Sequence, residues 1–204
     1  MIFEKEQNEL KARLAHLKQE AIRFGATDSA VIFSGDIRVD DDLAALCNGE
    51  YTCPDYGLAA SCPPHVQGPE QFRKWQGKSR YSIIVKIELP SSVMFSDGRK
   101  DVMRLLHQVV AGVEKKAIEF GFSQSRAFAG GSCKQLFCEE NTSCCVVADN
   151  LPCRHMKEAR PSMSGFGIDV IQLMNTSGWP VVKTKQNKGG PGDASWVAGL
   201  VLVA

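Results

Sequence analysis

The sequence predicts an α/β or α+β domain in which a mixed sheet is flanked by helices. Three observations carry that expectation. Residues 6–24 and 100–120 place apolar side chains at the three- and four-residue steps of a single helical face. Residues 29–39, 80–89 and 196–203 are rich in β-branched and other apolar residues and read as strands. Glycine, proline and polar clusters separate these segments, so helices and strands alternate, and the 204 residues are expected to form a single domain.

In the first segment the helical face is Leu10, Leu14, Leu17, Ala21 and Phe24, and Gly25 stops it. The run Ala30-Val-Ile-Phe33 with Ile37 and Val39 follows as a strand bent near Gly35. Residues 40–68 are broken by Pro54, Gly57, Pro63, Pro64 and Gly68 and read as a loop. Residues 80–89 are apolar enough to be a central strand, which Pro90 closes. The stripe Val102, Leu105, Leu106, Val109, Val113, Ala117 and Phe120 marks the clearest helix, capped by Gly121. An internal echo links the two halves: residues 21–29 match residues 117–125 at five of nine positions, and each copy joins a Phe-Gly helix stop to a strand. The echo raises the prospect of a helix–strand repeat bearing a cysteine group in each half. Residues 130–160 form a second loop, 168–177 a helix that Ser162 or Asp169 caps, although the β-branched Ile168, Val170 and Ile171 also suit a strand, 183–193 a basic, glycine-rich loop, and 196–203 the closing strand.

The 24 basic and 23 acidic side chains nearly cancel, which argues against nucleic acid or an anionic membrane as partner. The amino terminus is charged, and no apolar run approaches the roughly 20 residues of a membrane span. A cytoplasmic protein is expected, and in that reducing compartment eight cysteines are metal ligands or redox-active thiols rather than structural disulfides.

Five cysteines, Cys133, Cys138, Cys144, Cys145 and Cys153, lie within residues 133–153, and Cys47, Cys53 and Cys62 form a sparser group upstream. Such density is ligand spacing, because a buried cysteine otherwise behaves as a small hydrophobe with no reason to cluster. Gly130-Gly131 before Cys133, and the prolines beside Cys53, Cys62 and Cys153, let the backbone wrap closely on a bulky inorganic core. The reading is one or two iron–sulfur clusters of the 4Fe-4S type, with zinc as the alternative metal. No Cys-x-x-Cys spacing is present, so neither a ferredoxin loop nor a standard zinc knuckle is matched. Cys133, Cys138, Cys145 and Cys153 suffice for one cluster, and Cys144 is expected to cross to the three upstream thiols, the two adjacent cysteines being exchangeable. His65 and His155 sit beside ligand cysteines as further candidates, His16 and His107 read as surface or packing residues, and Arg154 and Arg160 are expected to offset thiolate charge.

Several motifs carry a resemblance: Cys53-Pro-Asp-Tyr-Gly57 with Ser61-Cys62-Pro-Pro64, Gly131-Ser-Cys133 with Phe137-Cys138, and Cys153-Arg-His155 with Ala159-Arg-Pro-Ser-Met163 and Gly167-Ile-Asp-Val170. Over roughly residues 47–170 the chain resembles the uncharacterised, cysteine-rich "predicted metal-binding protein" family of anaerobic bacteria and archaea. The resemblance implies a metal or iron–sulfur site and no particular reaction. Met156 departs from it, since similar sequences carry proline after Cys-Arg-His. Three functions compete: a redox or electron-transfer protein with a redox partner, an oxidoreductase-like enzyme whose incompletely ligated cluster binds substrate, and a zinc-stabilised binding module.

Overall fold

The structure is a computed structural model that describes residues 2–50, 52–181 and 194–204. The basic segment 183–193 singled out in the sequence lies outside the described residues. Helix α1 (Ile2–Arg23) leads into strand β1 (Asp28–Phe33), and a short helix α2 (Asp41–Ala45) precedes α3 (Gly68–Gln76) and β2 (Tyr81–Pro90). Then come α4 (Ser91–Met94), α5 (Arg99–Glu119), β3 (Arg126–Phe128), α6 (Cys133–Phe137), α7 (Cys145–Ala148), α8 (Val170–Thr176) and β4 (Ala194–Val203).

The four strands form one sheet in the order β1-β2-β4-β3, and every pairing between them is antiparallel. The class is therefore α+β, and the sheet among the described residues is not mixed. Parallel neighbours need a crossover that returns to the same end of the sheet; here α3 and α8 lead into strands that run back against β1 and β3. The register Tyr81↔Val203 to Pro90↔Ala194 makes β2 and β4 the central pair, so both are buried on two faces.

Strand alternation divides the interior in two. Ile83, Val85, Ile87 and Leu89 of β2, with Val197, Val201 and Val203 of β4, face α1 and α5. Ile84, Leu200 and Leu202 face the opposite way, onto Phe72 of α3, Leu173 and Met174 of α8, and Met163 and Phe166 of the connecting 3-10 turn. Helix α3 was not legible as a helix in the sequence, where only Pro69 in its first turn hints at it.

The echoed Phe-Gly stops are the same cap made twice. Gly25 N–H returns to Ile22 O (3.0 Å) and Ala26 N–H to Ala21 O (3.0 Å); Gly121 N–H returns to Ile118 O (3.0 Å) and Phe122 N–H to Ala117 O (3.0 Å). Both glycines have positive φ, as this cap demands. Each capped helix then feeds an edge strand, a cysteine-bearing segment, a helix on the opposite face and a central strand. The strand bent at Gly35 ends instead at Phe33, where a 3-10 turn replaces it, and Val39 survives as a lone bridge to Ile168. Stretches 40–68 and 130–160 hold the short helices α2, α6 and α7 rather than plain loop. Among the described residues no helix is long and apolar enough to cross a membrane.

Segments 38–40 and 167–169 are laced together by Asp40 N–H to Gly167 O (2.8 Å) and Asp169 N–H to Arg38 O (3.0 Å). Gly167 has φ +69°, and a Cβ there would sit 2.2 Å from the Asp40 carbonyl oxygen. Gly167→Ala should therefore destabilise the chain by about 3 kcal/mol, strain and overlap together. Gly178→Ala, at φ +84° in open space, should cost clearly less. Urea unfolding of the two variants checks this, and equal losses would contradict it.

Candidate metal centre

Asp40 caps α2 by accepting the Asp42 N–H (3.0 Å), and the chain then folds through successive tight turns past all three upstream cysteines. Cys53 N–H reaches Cys47 O (3.1 Å), Tyr56 N–H reaches Cys53 O (2.9 Å), and Gly57 N–H reaches Pro63 O (2.8 Å). Cys47, Cys53, Cys62, Asp55, Tyr56 and Ser132 line one recess of ≈ 120 Å³. One water-sized sphere needs roughly 10–15 Å³, so the recess has room for far more than a bare ion. Inside it, Ser132 Oγ and Asp55 Oδ1 are shielded from water and have no partner at hydrogen-bond distance.

The second group starts where α6 starts. Cys133 is buried at its first position and Cys138 follows its last. Cys144 is the N-cap residue of α7. Burial alone would push the Cys144 thiol up, but the N–H groups of Ala60, Val147 and Val146, with Arg154 nearby, outweigh it and leave its pKa below the usual thiol value. Cys153 accepts the His155 N–H at 3.4 Å. Cys145 does something else: its thiol donates to Pro152 O (3.4 Å), and its carbonyl accepts the N–H groups of Asp149 and Leu151 (3.1 Å each). It braces the turn that presents Cys144 and Cys153.

The electrostatics sort the thiols the same way. Burial raises Cys47, and Cys53 and Cys62 add to the effect. Burial pushes Cys133 up to about 11; Ser61 counters it, while Cys62, Cys153 and Cys144 reinforce it. Cys138 is raised by burial and by Cys153 and Cys144, against Arg154. The two groups therefore meet at Cys62 and Cys133, and Ser61 stands between them, its hydroxyl donating to Cys133 Sγ at 3.0 Å. Ser162 N–H to Ser61 O (2.9 Å) locks this junction to the 3-10 turn. Cys144 thus lies with Cys133 and Cys138 as electrostatic neighbours, and the Ala60 N–H reaches it from the upstream segment. Among the described residues no three His, Cys, Asp or Glu side chains already form a group that holds a metal ion. Soft, desolvated sulfurs that raise one another's pKa are chemically suited to binding a metal cation, since a cation replacing their protons relieves both penalties.

Of the two arginines expected near the thiols, Arg154 has Cys138 and Cys144 as electrostatic neighbours. Arg160 is held elsewhere, by Glu114 at 2.6 and 2.8 Å and by the carbonyls of Met156 (3.1 Å) and Ala159 (2.8 Å). His65 binds Gly57 O (3.1 Å), and His155 stacks on Phe137. His107 is fully buried and ties together both ends of the downstream segment, Nε2–H donating to Gly130 O (3.1 Å) and Nδ1 accepting Arg160 N–H (3.0 Å). Its position beside Leu106 on the apolar stripe of α5 was the signal. Asp55, Ser61 and Ser132 were also missed, although each sits inside a cysteine motif.

A family model described as "Predicted metal-binding protein (DUF2284)" matches residues 30–203, and the chain belongs to that family. No curated protein and no solved structure matches it.

Two consequences are measurable in the metal-free protein. Burial lowers the His107 pKa from 6.5 to about 4 by stripping water from the charged ring; the bond to Gly130 O opposes this and the Arg160 charge adds to it. The folded state thus resists protonation: the stabilisation is whole above pH 6.5 and falls away toward pH 4, by about 3 kcal/mol. His107→Gln should flatten that loss in urea titrations; an unchanged slope would refute it. Alkylation under mildly basic conditions should mark Cys144 before Cys133, because the thiolate is the reacting form and the two thiols are shifted in opposite directions. Peptide mapping with Cys133 modified first would reverse the assignment.

Proposed function

We propose that this member of the predicted metal-binding family binds iron–sulfur clusters of the 4Fe-4S type and serves as a redox or electron-transfer protein in a reducing, cytoplasmic setting. The observation that carries the reading is the division of seven thiols into two groups that share the Ser61 junction. Cys133, Cys138, Cys144 and Cys153 hold the downstream cluster; Cys47, Cys53 and Cys62 supply three ligands upstream. A bound cluster supplies one-electron transfer at a potential set by charge, hydrogen bonds and solvent access.

The chain's own groups supply that setting. The N–H groups of Ala60, Val146 and Val147 on Cys144, and of His155 on Cys153, stabilise thiolate charge. Arg154 adds a positive charge beside Cys138 and Cys144. Ser61, reaching Cys133 Sγ from the residue before Cys62, puts one hydroxyl between the two ligand sets and keeps them close enough for electron exchange.

A second reading, an enzyme whose upstream cluster keeps one position for substrate, is favoured by the count of three thiols around the recess. Zinc bonds thiolate at about 2.3 Å in a compact tetrahedron, and three or four thiols around a wide recess suit it less well.

Anaerobic purification with absorption spectra and metal analysis tests the proposal. The expected protein is brown, with about eight irons and matching sulfide. A colourless protein with stoichiometric zinc and no iron after anaerobic reconstitution would reject it. Cys144→Ala should lose about half the iron, while Cys145→Ala should keep it at reduced stability, since only its brace to Pro152 is removed. Equal iron loss in the two variants would overturn the assignment of Cys144.

A further inference from the structure

We infer that Asp55 is the fourth ligand of the upstream site, so that this centre is held by three thiolates and one carboxylate oxygen. The inference rests on the iron–sulfur reading above and goes beyond its thiol ligands. Four observations lead to it. Asp55 lines the same recess as Cys47, Cys53 and Cys62. Its Oδ1 is out of contact with water and has no hydrogen-bond partner, a state that costs free energy unless something positive or proton-donating fills the space beside it. The turn fixes it there, Tyr56 N–H bonding to Cys53 O (2.9 Å) and Leu58 N–H to Asp55 O (3.2 Å), so the carboxylate is presented two residues on from a ligand cysteine. Ser132, only 4% exposed, lines the same recess beside the Asp55 carboxyl and the Cys62 thiol, and its hydroxyl makes no hydrogen bond of good geometry.

Ser132 and Gln135 stand beside the Asp55 carboxyl, yet its shielded Oδ1 keeps no partner at hydrogen-bond distance, and on one recess with three thiols that free oxygen marks a place for a group the protein itself does not supply. Iron accepts carboxylate oxygen as well as thiolate, so Asp55 fits the coordination position that the upstream cysteines leave over. Ser132 is then placed to donate a hydrogen bond toward the bound centre or its carboxylate ligand. Cys144 is not needed upstream, which agrees with its place among Cys133, Cys138 and Cys153.

The test is competition by an external thiol. The full-length chain, reconstituted anaerobically and reduced, is titrated with 2-mercaptoethanol while its electron paramagnetic resonance spectrum and iron content are followed. If Asp55 occupies the position, wild type should need about tenfold more thiol than Asp55→Ala to change its spectrum, as expected when a resident ligand holds the site nine times in ten. Asp55→Cys should show the thiolate-type spectrum with no added thiol and should not respond further; it keeps the test open should Asp55→Ala fold poorly. Identical titrations of wild type and Asp55→Ala at full iron content, or an Asp55→Cys spectrum that still responds to thiol, would overturn the inference while leaving the iron–sulfur reading intact. A wild type that takes up no iron would overturn both.

Discussion

The structure depends on a short antiparallel clamp between residues 38–40 and 167–169. The two cysteine segments leave the sheet from β1 and β3, which are its opposite edges. Three inter-strand spacings of about 4.8 Å separate those edges, so the segments begin roughly 14 Å apart. Thiols on them reach one another only if both segments turn in across the same face. The paired hydrogen bonds of Asp40 with Gly167 and of Asp169 with Arg38, the Val39↔Ile168 bridge, and the Ser162–Ser61 bond do this. Phe72, Phe128 and Phe166 fill the space beneath, with ring centroids 5.1 to 6.2 Å apart. That apolar layer makes the clamp worth forming, and the clamp seals the layer from water.

Bringing seven sulfurs together in a partly buried region is costly to the metal-free chain. Desolvation and mutual repulsion hold Cys47, Cys62, Cys133 and Cys138 as neutral thiols, so folding without metal is favoured by protonation. Any cation bound by such thiols would replace those protons, coupling its binding to acidity and to stability. Cys144 is the exception, its pKa lowered by three backbone N–H groups and Arg154. Around it the neutral scaffold, His107 between Gly130 and Arg160, and the Glu114–Arg160 pair, fixes the downstream turn without contributing charge to the thiols.

The repeated arrangement of capped helix, edge strand, cysteine segment, opposite-face helix and central strand gives the echo at residues 21–29 and 117–125 a physical content. The shared residues are those of one helix cap, Phe-Gly followed by a chain that turns back, and that chemistry alone accounts for their likeness. What the fold adds is that both copies lead to topologically matching edge strands. The halves are unequal where the chemistry lies: four coupled thiols against three, with Asp55 and Ser132 in the smaller set.

Sequence by itself determined the parts whose signals are local. Apolar spacing and terminal glycines located α1 and α5 to within a few residues, β-branched runs located β2 and β4, and the density of cysteines picked out the two cysteine-bearing segments. These succeed because helix faces, strand alternation and caps are written within a few residues of one another. Only the tertiary structure decided the antiparallel order β1-β2-β4-β3, the place of α3, and which thiol stands beside which. Adjacent Cys144 and Cys145 look alike in sequence, yet the backbone at the start of α7 turns one toward Cys133 and Cys138 and the other to the Pro152 carbonyl. Asp55, Ser61 and His107 gain their roles from neighbours 77, 72 and 53 positions away, at Ser132, Cys133 and Arg160, and no local pattern encodes contacts of that range.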